Sequence, residues 1–385
     1  MAEAYIVDAV RSAGGRRNGA LSHVHPADLA GDVLSALVAR TGIDPTSVED
    51  VVLGCVTQVG EQSFAFARNA VLASTLPETV PAVTVDRQCG SSQQAVQFAA
   101  QAVMSGTQDV VIAAGAESMS RVPMLSNQQG VGTGPISDRI RKRFGVEGFS
   151  QFEGAEMMAR KYGYSRETLD RFALHSHELA AKAIALGAFD EEIVPITVET
   201  PDGTLQHSVD EGVRADSSLE KLGALKTLTE GGVITAGNAS QICDGASAVL
   251  VVSERALKAH GLVPLARIHA MTVTGGDPVI MLEEPIAATQ KLLERAGMAI
   301  GDIDLYEVNE AFAPVPLAWL EVLGGDAERL NVHGGSIALG HPLGSSGTKL
   351  MATLVHALRR HGKRYGLQTM CEAGGIANAM IVEAL

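Results

Sequence analysis

Short apolar runs alternate with helical periodicities through residues 1–118. Tyr5-Ile6-Val7 and Val51-Val52-Leu53 read as strands flanking a helix from Asp28 to Arg40, where Leu29, Val33, Leu37 and Val38 share one face. Val83-Thr84-Val85 is a further strand, Gln93–Met104 a helix stopped near Gly106, and Asp109–Ala114 a buried strand. From residue 264 the same order returns: a strand opening at Ala266-Arg267-Ile268, a helix over Ala287–Ala296, and strands at Ile303–Val308 and Leu330-Asn331-Val332. A helix over Thr348–Arg359 and strands at Leu367–Cys371 and Ala379–Val382 complete it. The pattern predicts an α/β fold with two duplicated βαβαβαββ halves, although the halves share almost no identity.

Residues 119–241 break this rhythm with a glycine-rich stretch, Gly130–Pro135, and a basic run, Arg139–Arg143. An amphipathic helix follows from Ser165 to Gly187, carrying Leu169, Phe172, Ser176, Leu179, Ala183 and Ile184 on one face. We expect residues 1–118 with 242–263 to form an N-terminal half and 264–385 a C-terminal half. Residues 119–241 then form a loop domain over the sheet edge where ligands of open α/β sheets bind.

Composition narrows the chemistry. Against 44 Asp and Glu stand 30 Lys and Arg, a net charge of −14 that disfavours nucleic acid and anionic membranes as partners. No run approaches the roughly 18 apolar residues of a membrane span. The four cysteines, Cys55, Cys89, Cys243 and Cys371, form no Cys-x-x-Cys and no zinc-ligand spacing. No metal site is expected, and a cytoplasmic protein is the default.

Cys89 falls between a strand and a helix, so the first helical N–H groups face its sulfur and the helix dipole favours a thiolate. A buried small apolar cysteine is the competing reading. His341 stands in the glycine-rich Gly334–Gly347 stretch, which presents one imidazole on a tightly turned loop. That stretch is not a Walker A loop, and the glycines at 130–134 do not fit Gly-x-Gly-x-x-Gly. Cys371 ends a strand ahead of Gly374-Gly375, as an acid/base or as a buried thiol. Asn309 ends another strand, either as a functional group or as a helix N-cap, and Thr235–Ser240 is a loop of small residues.

Five ordered strings resemble the thiolase family along nearly the whole chain. They are Cys89-Gly90-Ser91-Ser92, Thr235–Ser240, Asn309-Glu310-Ala311-Phe312-Ala313, Gly340-His341-Pro342 with Gly344 and Gly347, and Cys371 before Gly374-Gly375. The resemblance implies a five-layered α/β/α/β/α core, a homodimer or homotetramer, and a reversible Claisen reaction on 3-oxoacyl-CoA. No permanently bound cofactor is implied; CoA and acyl-CoA are substrates. Cys89 would carry the acyl group, His341 take its proton and Cys371 protonate the released enolate. Asn309, through a water, and His341 would form one oxyanion site, and the backbone N–H groups of Cys89 and Ala373 the other. Arg214 would sit near the CoA nucleotide, Ser240 against the pantetheine, and Leu225 as an apolar contact.

Three positions depart from the family pattern. Ser150-Gln151-Phe152-Glu153-Gly154 replaces a His-Met-Gly stretch over the acyl site, His333 a usual Asn, and Ala373 a usual Gly. Together with Gln88 and Gln93-Gln94, the first resembles degradative thiolases for longer or bulky acyl chains, sterol-derived ones included. We expect the Phe152 ring to turn outward against Leu169 and Phe172, leaving the acyl site wide. The competing functions are a decarboxylating ketoacyl synthase, which would not need Cys371, and a non-enzymatic CoA- or lipid-binding protein, which would need neither cysteine.

Overall fold

The computed structural model describes every residue except Met1, Val131, Thr133 and Asp202. The glycine-rich Gly130–Pro135 stretch therefore lies in part outside the described residues. In the first half, strands β1 (Ala4–Ser12), β2 (Asp50–Gly54), β3 (Ala82–Val85), β4 (Val110–Ser118) and β5 (Cys243–Ser253) are linked in part by α1 (Pro26–Thr41), α2 (Phe66–Leu72) and α3 (Ser91–Ser105). The insertion between β4 and β5 includes α4 (Gln151–Tyr162) and α5 (Arg166–Ala185). The second half runs β6 (Ala266–Gly275), α6 (Glu284–Ala296), β7 (Leu305–Val308), α7 (Pro314–Leu323), α8 (Ser346–Arg360), β8 (Tyr365–Glu372) and β9 (Ile376–Ala384).

Local chemistry explains the principal helix ends. His25 Nδ1 accepts from the Ala27 amide and Pro26 opens α1, while Gly42 closes it at φ +66°. Gly106 closes α3 in the same left-handed way, at φ +75°. The sequence places these helices to within two residues.

Sheet order reads β3-β2-β4-β5-β1 in the first half and β7-β8-β9-β6 in the second. Leu330 pairs in parallel with Tyr306 of β7, at the place that β3 holds in the first half. Both halves thus share one winding. The expected strand at Leu330-Asn331-Val332 shrinks to that single bridge, because a 3-10 turn at Ala327–Arg329 and Asn331 at φ +44° turn the backbone away. The halves meet where β1 and β6 pair antiparallel through Tyr5↔Arg267 and Ile6↔Ala266.

Three apolar cores give the layer order. Leu29, Val33 and Leu37 of α1 pack with Phe66 of α2 on Val51, Ile112 and Leu250. Leu292 and Trp319, from α6 and α7, pack on Val308, Leu367 and Ile381. Between the half-sheets, Val96 and Val103 of α3 meet Met351, Leu354 and Leu358 of α8. Each such side chain contributes about 1.5–3 kcal/mol when fully buried. The result is the expected α/β/α/β/α stack, with α3 and α8 as its central layer.

In the insertion, the buried face of α5 is Leu169, Asp170, Ala173, Ser176, His177, Ala180 and Ala183. Phe172 is only half-buried, a rotation from the expected stripe. Polar partners set it: the Asn238 amide donates to Asp170 at 2.9 Å, and His177 Nδ1 accepts from the Arg214 amide at 3.1 Å.

Candidate functional site

The link from β3 to α3 carries Cys89, the ends of β7 and β8 bring Asn309 and Cys371, and the turn before α8 brings His341. The buried central helices α3 and α8 therefore begin at the chemistry. Gln88, just before the cysteine, stands at φ +50°, a left-handed conformation costly for a side chain with a Cβ. Asp86 Oδ1 holds its amide at 2.7 Å. That strained turn places Cys89 ahead of α3, among Val56, Met119, Leu343 and Met370.

A chain of hydrogen bonds fixes His341. Ser346 Oγ lies 2.9 Å from the Pro342 carbonyl and 2.5 Å from His341 Nδ1. A carbonyl only accepts, so the single hydroxyl proton goes to Pro342 and the serine oxygen accepts from Nδ1–H. Nε2 is then left with its lone pair, 3.4 Å from the Asn309 amide nitrogen. Ser336 Oγ donates to Asn309 Oδ1 at 2.5 Å, which turns the amide's NH2 toward the imidazole. The backbone amide of His341 donates to the Gln241 carbonyl at 3.0 Å.

Electrostatics agree with this tautomer. Burial, with Lys349 adding to it, brings His341 down to about 3, so the ring is neutral at physiological pH. Burial, then the carboxyl of Glu372, pushes the Cys89 thiol up to about 12. The expected dipole-stabilised thiolate is thus corrected: desolvation outweighs the helix terminus, and Cys89 rests as a thiol that needs a base. Burial, then Cys89 and Glu372, hold Cys371 well above the ordinary thiol value. Cys371 therefore feels Cys89, and both rest protonated.

A cavity of about 520 Å3 opens beside His341, lined by Met119, Gln151, Phe152, Phe312 and Leu343 and, further along, by Ser240 and Arg214. A smaller chamber of about 250 Å3 continues past Arg214 to Ser217, Lys221 and Leu225. The structure thus joins His341, Ser240, Arg214 and Leu225 along one path. The Arg139–Arg143 run lies in or beside the exposed helix Asp138–Phe144 and lines neither space.

Phe152 corrects an expectation. Its ring meets Phe312 edge-on, with centroids 5.8 Å apart and an interplanar angle of 82°, and lines the cavity rather than packing on Leu169 and Phe172. Gly154 cannot swing the backbone away, because a Cβ there would stand 2.7 Å from the Ile280 carbonyl oxygen. That face of α4 is pressed against Ile280, and position 152 is left facing Phe312.

Sequence reasoning passed over the groups that hold the site. Ser336 and Ser346 are ordinary hydroxyls beside glycines. Buried Glu117 accepts from the amides of Val56, Thr57 and Gly344 at 2.8–2.9 Å, tying the Cys55 loop to the His341 loop. Buried Lys349 donates to the carbonyls of Leu339 and Gly340, just before His341. The one sequence signal was an isolated charge within an apolar run, as at Glu117 after Val110–Ala116.

Residues 4–255 match the family described as thiolase, N-terminal domain, and residues 262–384 match thiolase, C-terminal domain. The chain is 53% identical to steroid 3-ketoacyl-CoA thiolase FadA6 of Mycobacterium tuberculosis, over 100% of this chain and 95% of that protein. It is 43% identical to acetyl-CoA acetyltransferase of Escherichia coli over the full length of both. The crystal structure of Bacillus anthracis acetyl-CoA acetyltransferase matches with a TM-score of 0.92 and 40% identity, over 100% of this chain and 99% of that one.

Proposed function

Since the chain belongs to the thiolase family and is an acyltransferase of reversible, CoA-dependent Claisen chemistry, we propose that Cys89, His341, Cys371 and Asn309 carry out its steps. His341 Nε2 takes the Cys89 proton, and the sulfur attacks the 3-oxo carbonyl of the substrate. The bond between C2 and C3 breaks, and Cys371 donates its proton to the enolate of acetyl-CoA. An incoming CoA thiol gives its proton back to Cys371 and attacks the acyl group, and Cys89 recovers its own proton from His341. Protons and electron pairs balance over the cycle.

The observation that carries this reading is how His341 is held, with Ser346 Oγ 2.5 Å from Nδ1 and the Asn309 amide nitrogen 3.4 Å from Nε2. Its lone pair starts on Nε2 beside Asn309, so the ring accepts a thiol proton and then presents that same proton to a developing oxyanion. The backbone amides of Cys89 and Ala373 serve the second oxyanion, Ala373 preceding left-handed Gly374 and Gly375. Cys371, beside Cys89, favours this reading over a decarboxylating synthase. In the CoA path, Arg214 meets the nucleotide phosphates, Ser240 the pantetheine and Leu225 its apolar rim.

The Ser150–Gly154 stretch and the 53% identity to a steroid 3-ketoacyl-CoA thiolase support an acyl group larger than acetyl. The division at 118, 241 and 263 is supported by the shared strand order of the halves. Exposed Phe64, Leu72 and Val83, the last on edge strand β3, support a homo-oligomer. No helix among the described residues is long and apolar enough to cross a membrane. The four cysteines are all free and buried, which supports a reducing compartment, the cytoplasm.

The test is mass spectrometry after incubation with a 3-oxoacyl-CoA. One acyl group per chain, on Cys89, is expected. A label on Cys371 or Cys243, or none, overturns the assignment.

A further inference from the structure

Two cations on the cavity wall have no use in the steps above. Arg16 and Arg17 line the space that holds His341, Phe152 and Met119. Neither guanidinium has an ion-pair or hydrogen-bond partner among the described residues, although most arginines of this chain do. Their backbone, by contrast, is fixed. Gly15 and Arg16 pair with Asp244 and Cys243 of β5, Glu211 Oε2 accepts from the Arg16 amide at 2.9 Å, and the Asn18 amide donates to Ser120 Oγ at 2.8 Å. A rigid turn thus presents two adjacent, unpaired positive charges beside the Met119 wall, in a chain of net charge −14.

CoA is one anion that could meet them, since Arg214 and Ser240 of the CoA path line the same cavity. The chamber running from Arg214 to Ser217, Lys221 and Leu225, away from His341, contains neither Arg16 nor Arg17. Both line instead the cavity that holds His341, where Met119, Met124, Gln151 and Phe152 stand on the wall beside them.

We propose that Arg16 and Arg17 form a subsite for a carboxylate at the far end of the acyl chain, so that the substrate class is the CoA thioester of a 3-oxo dicarboxylic acid. This rests on the thiolase reading of the same site. The apolar wall of Met119, Met124, Phe152 and Leu343 holds the carbon chain, and the guanidinium pair holds its charged end by paired N–H···O bonds. The cleavage step is unaltered, because the carboxylate stays remote from C2 and C3.

The experiment compares thiolysis of two 3-oxoacyl-CoA esters of equal length, one ending in carboxylate and one in its methyl ester. They are run with the wild-type enzyme, with Arg16→Gln/Arg17→Gln, and with Arg16→Glu/Arg17→Glu. The wild type should favour the carboxylate in kcat/KM by about 10–100-fold, as expected for loss of a charge-assisted contact. The glutamine variant should bring that ratio close to one, and the glutamate variant should reverse it. The inference is overturned if the wild-type ratio is near one, or if the variants leave the ratio unchanged. A rise in the KM for CoA with equal losses for both esters also overturns it, assigning the pair to CoA phosphate. Failure of the wild type to cleave either ester would refute the thiolase reading instead, so the two failures are distinct.

Discussion

Replacing Ser346 with alanine separates the proton-acceptor role of His341 from mere placement of its ring. Among the described residues Ser346 Oγ is the only side-chain partner of Nδ1, at 2.5 Å, and the site is buried. Without it, Nδ1–H either stays unsatisfied or moves to Nε2, the nitrogen that must accept the Cys89 proton. An unsatisfied buried donor costs about 1–3 kcal/mol. The alternative tautomer places a similar penalty ahead of every attack. At about 1.36 kcal/mol per tenfold, Ser346→Ala should slow Cys89 acylation by about 10–100-fold. The step is read in single-turnover quench experiments with a 3-oxoacyl-CoA, following acyl-enzyme formation by mass spectrometry. Cys89 itself stays at about 12, so the thiol cannot bypass the base at neutral pH. An acylation rate within twofold of the wild type would refute the tautomer argument. So would a loss confined to substrate KM, which would make Ser346 part of substrate binding.

Cys371→Ser should keep acylation of Cys89 but slow exchange of the acetyl-CoA methyl protons by about 10²–10⁴-fold, as for a lost acid/base; unchanged exchange by NMR would make Cys371 structural. Phe152→Ala should move relative kcat/KM from acetoacetyl-CoA toward ring-bearing 3-oxoacyl-CoA esters by about tenfold, since one methylene of fit is already worth that much. An unchanged preference would show that the ring, despite facing Phe312, does not bound the acyl group. Burial, then His361, lowers His333 to about 4, below the ordinary histidine value of 6.5, so the folded state resists the proton that the unfolded chain takes up. Its contribution is full above pH 6.5 and is lost as pH falls toward 4. His333→Asn should therefore gain stability on the wild type by up to about 1.4 kcal/mol per pH unit over that window. Parallel urea-unfolding curves across it would contradict the assignment.

What the sequence revealed and what it hid follow from the range of the interactions involved. The helices α1, α3 and α8 are legible because their apolar stripes repeat within each helix and glycines mark two of their ends. Cys89, Asn309, His341 and Cys371 are legible because each sits in a short run of small residues at an element's end, where the backbone must approach another segment closely. Gly347 shows the constraint, since a Cβ there would stand 2.0 Å from the Gln93 amide nitrogen. Arg11 shows the opposite case. In Val10-Arg11-Ser12 it resembles a charge at a strand's exposed end, yet it is fully buried against Glu192 and Asp210, 181 and 199 residues away. No local pattern encodes partners at that distance. The direction of Phe152 was hidden for the same reason, being decided by Ile280 and Phe312 from the other half.

These long-range contacts also determine how the catalytic groups titrate. A cysteine ahead of a helix reads in isolation as a ready thiolate, whereas the folded chain desolvates both cysteines and the imidazole together. Desolvation raises the thiols and lowers the histidine, so all three rest uncharged. A buried ion pair of Cys89 and His341 would carry a desolvation penalty on both partners. With all three groups neutral, charge in the proposed steps develops only after substrate arrives, and the Asn309–His341 pair and the Cys89 and Ala373 amides are the groups proposed to receive it. Reactivity is thereby tied to occupancy of the site. A free thiolate would react with any electrophile, whereas a thiol activated by a substrate-bound histidine reacts with the 3-oxo carbonyl set against it. Iodoacetamide should accordingly label Cys89 slowly, with a rate that climbs by about tenfold per pH unit between pH 6 and 9 and reaches no plateau. A fast labelling rate that stays flat across this range would reveal a resting thiolate and undo this account.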